Sequence, residues 1–120
     1  ICYDLRFPSQ FQRLRSAGAE IIFVPAAFTY QTGVAHWLTL LKARAIENQV
    51  FIVAPGQFGH HNPKRRSFGH SVVIDPWGEI ISQAQEEECL IFCDIDLSSM
   101  QKIRAEMPVF NHKVPQIDSL

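Results

Sequence analysis

Cys2 is the residue of this 120-residue chain best placed to do covalent chemistry. It ends a short apolar run, and Pro8 then opens a segment with helical spacing. Phe11, Leu14 and Ala17 fall on one side of that segment, with Gln10, Gln12, Arg13 and Arg15 toward water. Proline suits a first helical position because its missing N–H would have no partner there anyway. Cys2 is therefore expected in a strand-to-helix connection, near the positive end of a helix dipole that lowers a thiol pKa. A thiolate so placed attacks a carbonyl carbon and forms a thioester, which water then hydrolyses. The cycle needs a base for the thiol proton, an acid for the leaving group and donors for the oxyanion. The backbone N–H of Tyr3 is placed to be one donor, its ring being expected in the core. The rival reading of Cys2 is a small buried hydrophobe, since free cysteine is among the most buried residue types.

No base partner for Cys2 is identifiable within the chain. His36 beside Trp37 and His70 at a strand start are the tempting ones, yet each reads more readily as a structural hydrogen-bonder. Arg6 has two readings: a bidentate fork for a substrate carboxylate, or an ion pair with Asp4 that fixes the turn. Residues 56–69 form a polar, basic stretch with His60, His61, Lys64, Arg65 and Arg66. That stretch is either a solvated surface loop or an electropositive rim that draws in an acidic substrate. Metal binding fits it poorly, because adjacent histidines without a spaced cysteine or carboxylate lack ligand spacing.

The elements that must position these groups alternate. After the first helix, Gly18 supplies the left-handed residue that ends it. The apolar run 19–24 reads as a strand covered on both faces, followed by a loop over 25–33 at its carboxyl end. Helical spacing returns over 35–49, with Thr32 as N-cap and Trp37, Leu41 and Ala45 as an apolar stripe widened by Leu38 and Ile46. Residues 50–54 read as a second strand. A strand, helix and strand in so short a span predict a right-handed α/β crossover. Residues 70–74 and 79–82 flank Asp75-Pro76-Trp77-Gly78, a hairpin turn. Residues 89–95 read as a buried strand, Asp96 caps a last helix ending before Pro108, and 108–120 is expected to be an extended tail packed on the body or on a partner subunit.

Composition sets outer bounds. The 11 basic and 12 acidic residues nearly cancel, so no global field favours nucleic acid or a membrane surface. The longest apolar run, 21–28, is broken by Pro25 and falls far short of the roughly 20 residues a membrane span needs. Cys89 and Cys93 would lie about 13 Å apart along a strand, beyond the roughly 7 Å reach of a disulfide. Three free thiols are expected, as in the cytoplasm. The chain starts at Ile1 inside an apparent strand and reads as the C-terminal part of a longer protein, so a mitochondrial address stays open.

Cys2 through Pro8 resembles the nucleophile motif of the nitrilase superfamily of carbon–nitrogen hydrolases. Pro25-Ala26-Ala27-Phe28, His36-Trp37, Arg44-Ala45-Ile46-Glu47-Asn48, Gly69-His70-Ser71 and Asp75-Pro76-Trp77-Gly78 follow in that family's order and spacing. Ser9 stands where relatives usually carry glutamate. The resemblance is nearest to the branch of deaminated-glutathione amidases, neighbours of the omega-amidases. It implies an α/β fold, the C-terminal half of an α-β-β-α four-layer sandwich, in one partial domain over 1–120. It implies a Glu–Lys–Cys triad with Cys2 as nucleophile and the other two members upstream of this chain, so Glu20, Glu47 and Lys42 do not fill those places. It implies Arg6, Phe28 and Thr32 near a small-molecule amide substrate, no metal or organic cofactor, and a homo-oligomer. Omega-amidase, nitrilase or ureido-amide chemistry are the alternatives within the family. A non-catalytic interaction module is the alternative outside it, should the upstream Glu and Lys be absent; the 120 residues alone are expected to be inactive.

Overall fold

The computed structural model describes residues 1–114 and has a four-stranded mixed sheet of order β1-β2-β5-β6. The first two strands, β1 (Ile21–Phe23) and β2 (Phe51–Ala54), run parallel, with Ile22 opposite Ile52. β5 (Val72–Ile74) and β6 (Ile80–Gln83) add antiparallel, and Ile52 faces Ile74 across the second ladder. A separate hairpin, β3 (Phe58–Asn62) and β4 (Arg65–Phe68), stands beside the sheet.

Strand alternation explains the core. Ile22, Val24, Ile52, Ala54, Val72 and Ile74 share one face, and all are at most 6% exposed. Trp37, Leu41, Ala45, Leu5 and Phe11 cover that face in a single cluster. The expected stripe Trp37–Leu41–Ala45 is therefore buried, whereas Ile46 is exposed and Arg44 takes its place inside. In α1 (Pro8–Ser16) only Phe11 is buried; Leu14 and Ala17 stay outside and Arg15 is half-buried, its guanidinium donating to the Asn48 carbonyl at 3.0 Å. Gly18 ends the helix as expected, at φ 100°.

The long helix departs from regular spacing. It begins at α2 (Tyr30–Thr32), passes through a π-helical turn (Gly33–Trp37) and continues as α3 (Leu38–Asn48). Thr32 is thus not the N-cap. That position is Thr29, whose hydroxyl lies 2.5 Å from that of Thr32. The wider turn sits where Gly33 meets Phe68, and a Cβ at position 33 would fall 2.3 Å from the Phe68 side chain. π-turns of this kind recur at functional sites.

Two further expectations change. Residues 56–69 are not an irregular loop: Phe58 pairs with Phe68, and the Asn62 side chain closes the turn by accepting from the Lys64 and Arg65 N–H groups at 2.9 Å. Residues 89–95 have no regular secondary structure and join no ladder, and Leu90 and Phe92 are 83% and 81% exposed. A strand needs a neighbour for its backbone groups, and none among the described residues lies alongside. The Asp75 turn forms as expected, its carboxylate accepting from Trp77 and Glu79 N–H.

Asp96 caps α4 (Leu97–Glu106), its carboxylate accepting from the Ser98 hydroxyl at 2.6 Å and from Ser98 N–H at 2.9 Å, which together hold its carboxyl below the usual range. Arg104 ties that helix to the sheet by donating to the Gln49 and Ala19 carbonyls, and burial pushes its guanidinium pKa down. Beyond it a 3-10 turn (Val109–His112) brings Phe110 under Arg15, at 4.5 Å from the ring centroid. The remainder of the expected tail, 115–120, lies outside the described residues. Among those described, no helix is long and apolar enough to cross a membrane.

Exposed Leu90 and Phe92 make a direct test. Replacing both with lysine should lower dye binding (ANS fluorescence) and light scattering by the 120-residue chain. Its thermal midpoint should stay within about 4 °C, because exposed substitutions rarely exceed roughly 0.5 kcal/mol. An unchanged dye signal would show that these side chains are covered.

Candidate active site

Three chain segments meet at the carboxyl ends of the two parallel strands. Cys2 N–H donates to the Pro25 carbonyl just after β1 at 3.0 Å, and Ala26 N–H donates to Pro55 just after β2 at 3.0 Å. Gln57 N–H returns to Ala26 at 2.9 Å. Ligands gather at such strand ends in open α/β sheets.

Cys2 is not at the start of α1. It opens a 3-10 turn (Cys2–Arg6), and α1 begins only at Pro8. Its backbone has φ 51°, the left-handed region that costs a side-chain-bearing residue about 1–3 kcal/mol. Such strain persists only where the surroundings impose it, as in sharp nucleophile-bearing turns. The turn is held at both ends, by the Cys2 N–H on the Pro25 carbonyl and by Arg44 on the Leu5 carbonyl. The Arg44 guanidinium, 6% exposed, donates twice to the Leu5 carbonyl, at 3.0 and 2.8 Å, and once to Glu47 at 2.6 Å. Arg44 thereby fixes the far end of the turn that carries the cysteine.

Cys2 is half-buried and borders two hollows. One, of about 560 Å³, runs past Pro25, Ala26, Pro55, Gln57 and Ser71. The other, of about 210 Å³, is lined by Cys2, Tyr3, Arg6, Ala27, Phe28, Thr29 and Thr32. All five residues singled out in the sequence thus line one hollow. Within it Phe28 is 6% exposed and its ring packs tilted against Trp37 at 4.8 Å between centroids, the Trp37 indole N–H donating to the His70 carbonyl at 2.9 Å.

Arg6 forms no ion pair with Asp4. Its guanidinium lies 5.5 Å from the Phe28 ring centroid and 3.3 Å from His36 Nδ1, with no carboxylate partner among the described residues. Tyr3 is 66% exposed and packs edge-on against Phe7, so its ring is no part of the core. His70 turns its Nδ1 to the Phe68 carbonyl at 2.8 Å and stacks on Phe68 at 3.9 Å, a structural engagement. Gln57 and Ser71 were not foreseen; Ser71 Oγ accepts from Gly56 N–H at 2.8 Å and holds the loop after β2.

The family model for carbon–nitrogen hydrolases matches residues 1–105.

The chain belongs to the carbon–nitrogen hydrolase family.

It is 52% identical over 113 residues to the nitrilase and fragile histidine triad fusion protein NitFhit of Caenorhabditis elegans, covering 94% of this chain and 26% of that one. The NitFhit crystal structure matches with a TM-score of 0.94 at 50% identity, covering 97% of this chain and 28% of that one. Deaminated glutathione amidase of Bos taurus is 49% identical over 117 residues, covering 98% and 36%. A variant of the amidase of Nesterenkonia sp. AN1 carries the acetamide moiety of fluoroacetamide covalently at its active-site cysteine. It matches at 30% identity with a TM-score of 0.71, covering 89% and 40%. The chain thus spans 26% to 40% of these relatives' length, and its α/β fold is of the nitrilase-superfamily type.

Arg44→Met should lower stability by roughly 2–4 kcal/mol in a urea titration, because charge-assisted bonds are lost and the buried Leu5 carbonyl is left unpaired. Arg44→Lys keeps the charge but not the fork and should recover less than half of that. A loss below about 1 kcal/mol for Arg44→Met would show that other contacts hold the turn.

Proposed function

We propose that this carbon–nitrogen hydrolase chain supplies the nucleophile and substrate pocket of an amidase acting on a linear, carboxylate-bearing amide, deaminated-glutathione-like, through a Cys2 thioester. One observation carries the reading: Cys2, in a strained backbone conformation, opens into the hollow where the Arg6 guanidinium has no carboxylate partner among the described residues. The names of the relatives support it.

In this reading the Cys2 thiolate attacks the amide carbon and the Tyr3 N–H helps hold the tetrahedral oxyanion. The C–N bond breaks, the amine leaves with a proton, and water attacks the thioester to release the acid and restore the thiol. Arg6 holds the acyl carboxylate as a fork, Phe28 walls the chain and Thr32 offers its hydroxyl. The base is neither His36, engaged with Arg6, nor His70, engaged with Phe68. A glutamate and a lysine from the polypeptide preceding Cys2 take those parts, in a complete four-layer sandwich. Homo-oligomeric assembly and a reducing compartment belong to the same proposal.

In the complete protein, Cys2→Ala should cut kcat/KM for a carboxylate-bearing amide by about 10³-fold or more with circular dichroism unaltered. Retained turnover would refute the thioester. Arg6→Met should raise KM about 10- to 100-fold, the equivalent of one charge-assisted hydrogen bond or fork. Selectivity among glutaramate, a simple nitrile and an N-carbamoyl amine, scored as kcat/KM, separates the proposed substrate from its family alternatives.

A further inference from the structure

The Arg6 guanidinium, half-buried at the smaller Cys2 hollow, is steered from three directions. The Phe28 ring centroid lies 5.5 Å from its central carbon and that of Tyr3 5.9 Å. Aromatic faces hold a cation without consuming any of its donors. The third contact is polar: Arg6 Nη2–H donates to His36 Nδ1 at 3.3 Å.

That contact fixes the state of the imidazole. A ring that accepts at Nδ1 carries its hydrogen on Nε2 and is neutral, whereas an imidazolium donates at both nitrogens and has nothing to offer a guanidinium. Neutrality has a use here. A carboxylate at the same place would orient Arg6 as well, but it would cancel the charge and compete with an incoming anion. The imidazole takes one of the five N–H groups and leaves the others, a fork included, with the positive charge intact.

The fold brings His36 to this place through the π-helical turn Gly33–Trp37. Trp37, the next residue, is buried and anchors the turn by its indole N–H on the His70 carbonyl. It also packs against Phe28, the ring that lies next to Arg6. Helix, indole, phenyl ring and guanidinium are thus in continuous contact, and His36 closes the circuit from the helix back to Arg6.

We propose that His36 is a positioning residue: it aims the Arg6 guanidinium into the hollow and leaves its charge to the substrate. It thereby sets the preference for an acyl chain that ends in a carboxylate over one that ends in a methyl group. The inference rests on the amidase reading above and deepens it.

The test measures, in the complete protein, the kcat/KM ratio for glutaramate over pentanamide, which has a methyl group where glutaramate has its carboxylate. His36→Leu should shrink that ratio about tenfold, through KM for glutaramate more than through kcat, the equivalent of one hydrogen bond to a charged group. His36→Asn, whose amide oxygen falls where Nδ1 was, should bring the ratio back to within about threefold of wild type. His36→Gln, whose amide oxygen falls nearer Nε2, should not. In an Arg6→Met background His36→Leu should change the ratio no further, because its effect passes through the guanidinium. An unaltered ratio in His36→Leu, an asparagine no better than the leucine, or a full additional loss in the Arg6→Met background would overturn the assignment. Calorimetric binding of glutarate, which needs no turnover, keeps the two readings apart. Binding weakened by His36→Leu and recovered by His36→Asn while neither amide is hydrolysed sinks the amidase reading and upholds the positioning role. Equal binding by wild type and His36→Leu sinks that role, whatever the turnover.

Discussion

The buried guanidinium of Arg44 holds this structure to its chemistry. One planar group from α3 reaches across to the first turn of the chain and grips a single carbonyl, Leu5, with two N–H groups. Glu47 neutralises it on the outer side, and the Phe11 ring lies 5.6 Å from its centre on the inner side. Desolvating an arginine is costly, and the cost is offset only when its donors are used. Here they are used on the backbone of the turn that bears Cys2. That turn is held from behind by a helix at Leu5 and from the loop after β1 by the Pro25 carbonyl.

Much of this architecture could be read locally. The Asp75-Pro76-Trp77-Gly78 turn, the Asp96 cap and the Gly18 stop each depend on a few adjacent residues, and each formed where its chemistry indicated. The parallel pair β1–β2 was legible because a continuous apolar run has one common use in a mixed sheet. The misreadings have one source, long-range pairing. Charged residues hide the alternation of β3 and β4, and only the facing of Phe58 with Phe68 reveals a hairpin. The π-turn sits where Gly33 packs against Phe68, a contact no helical periodicity records. Residues 89–95 have a strand's composition, but a ladder is a property of two segments. At the site, residue type and position pointed to Cys2, the family resemblance to Arg6, Phe28 and Thr32 and, as part of Gly69-His70-Ser71, to Ser71, whereas Gln57 carries no signal until the loops after β1 and β2 are laced together.

That lacing also accounts for the division of labour between sheet and hairpin. The sheet is apolar, with its helix-facing side chains closed over by α3 and the first turn. The hairpin is polar and buries little beyond Ser67 and Phe68. It is held by a few backbone bonds to the Phe28 loop and by the stacking of Arg66 on Tyr30. Elements with few buried apolar contacts open at lower free energy than a core. The basic hairpin is accordingly the more yielding side of the site, and the cysteine turn the stiffer one.

Ala27 has a consequence of its own. It lies at the common border of three hollows, two at Cys2 and one of about 840 Å³ against the β3–β4 hairpin. A bulkier side chain at this corner would narrow the passage between them, and a glycine would merge them.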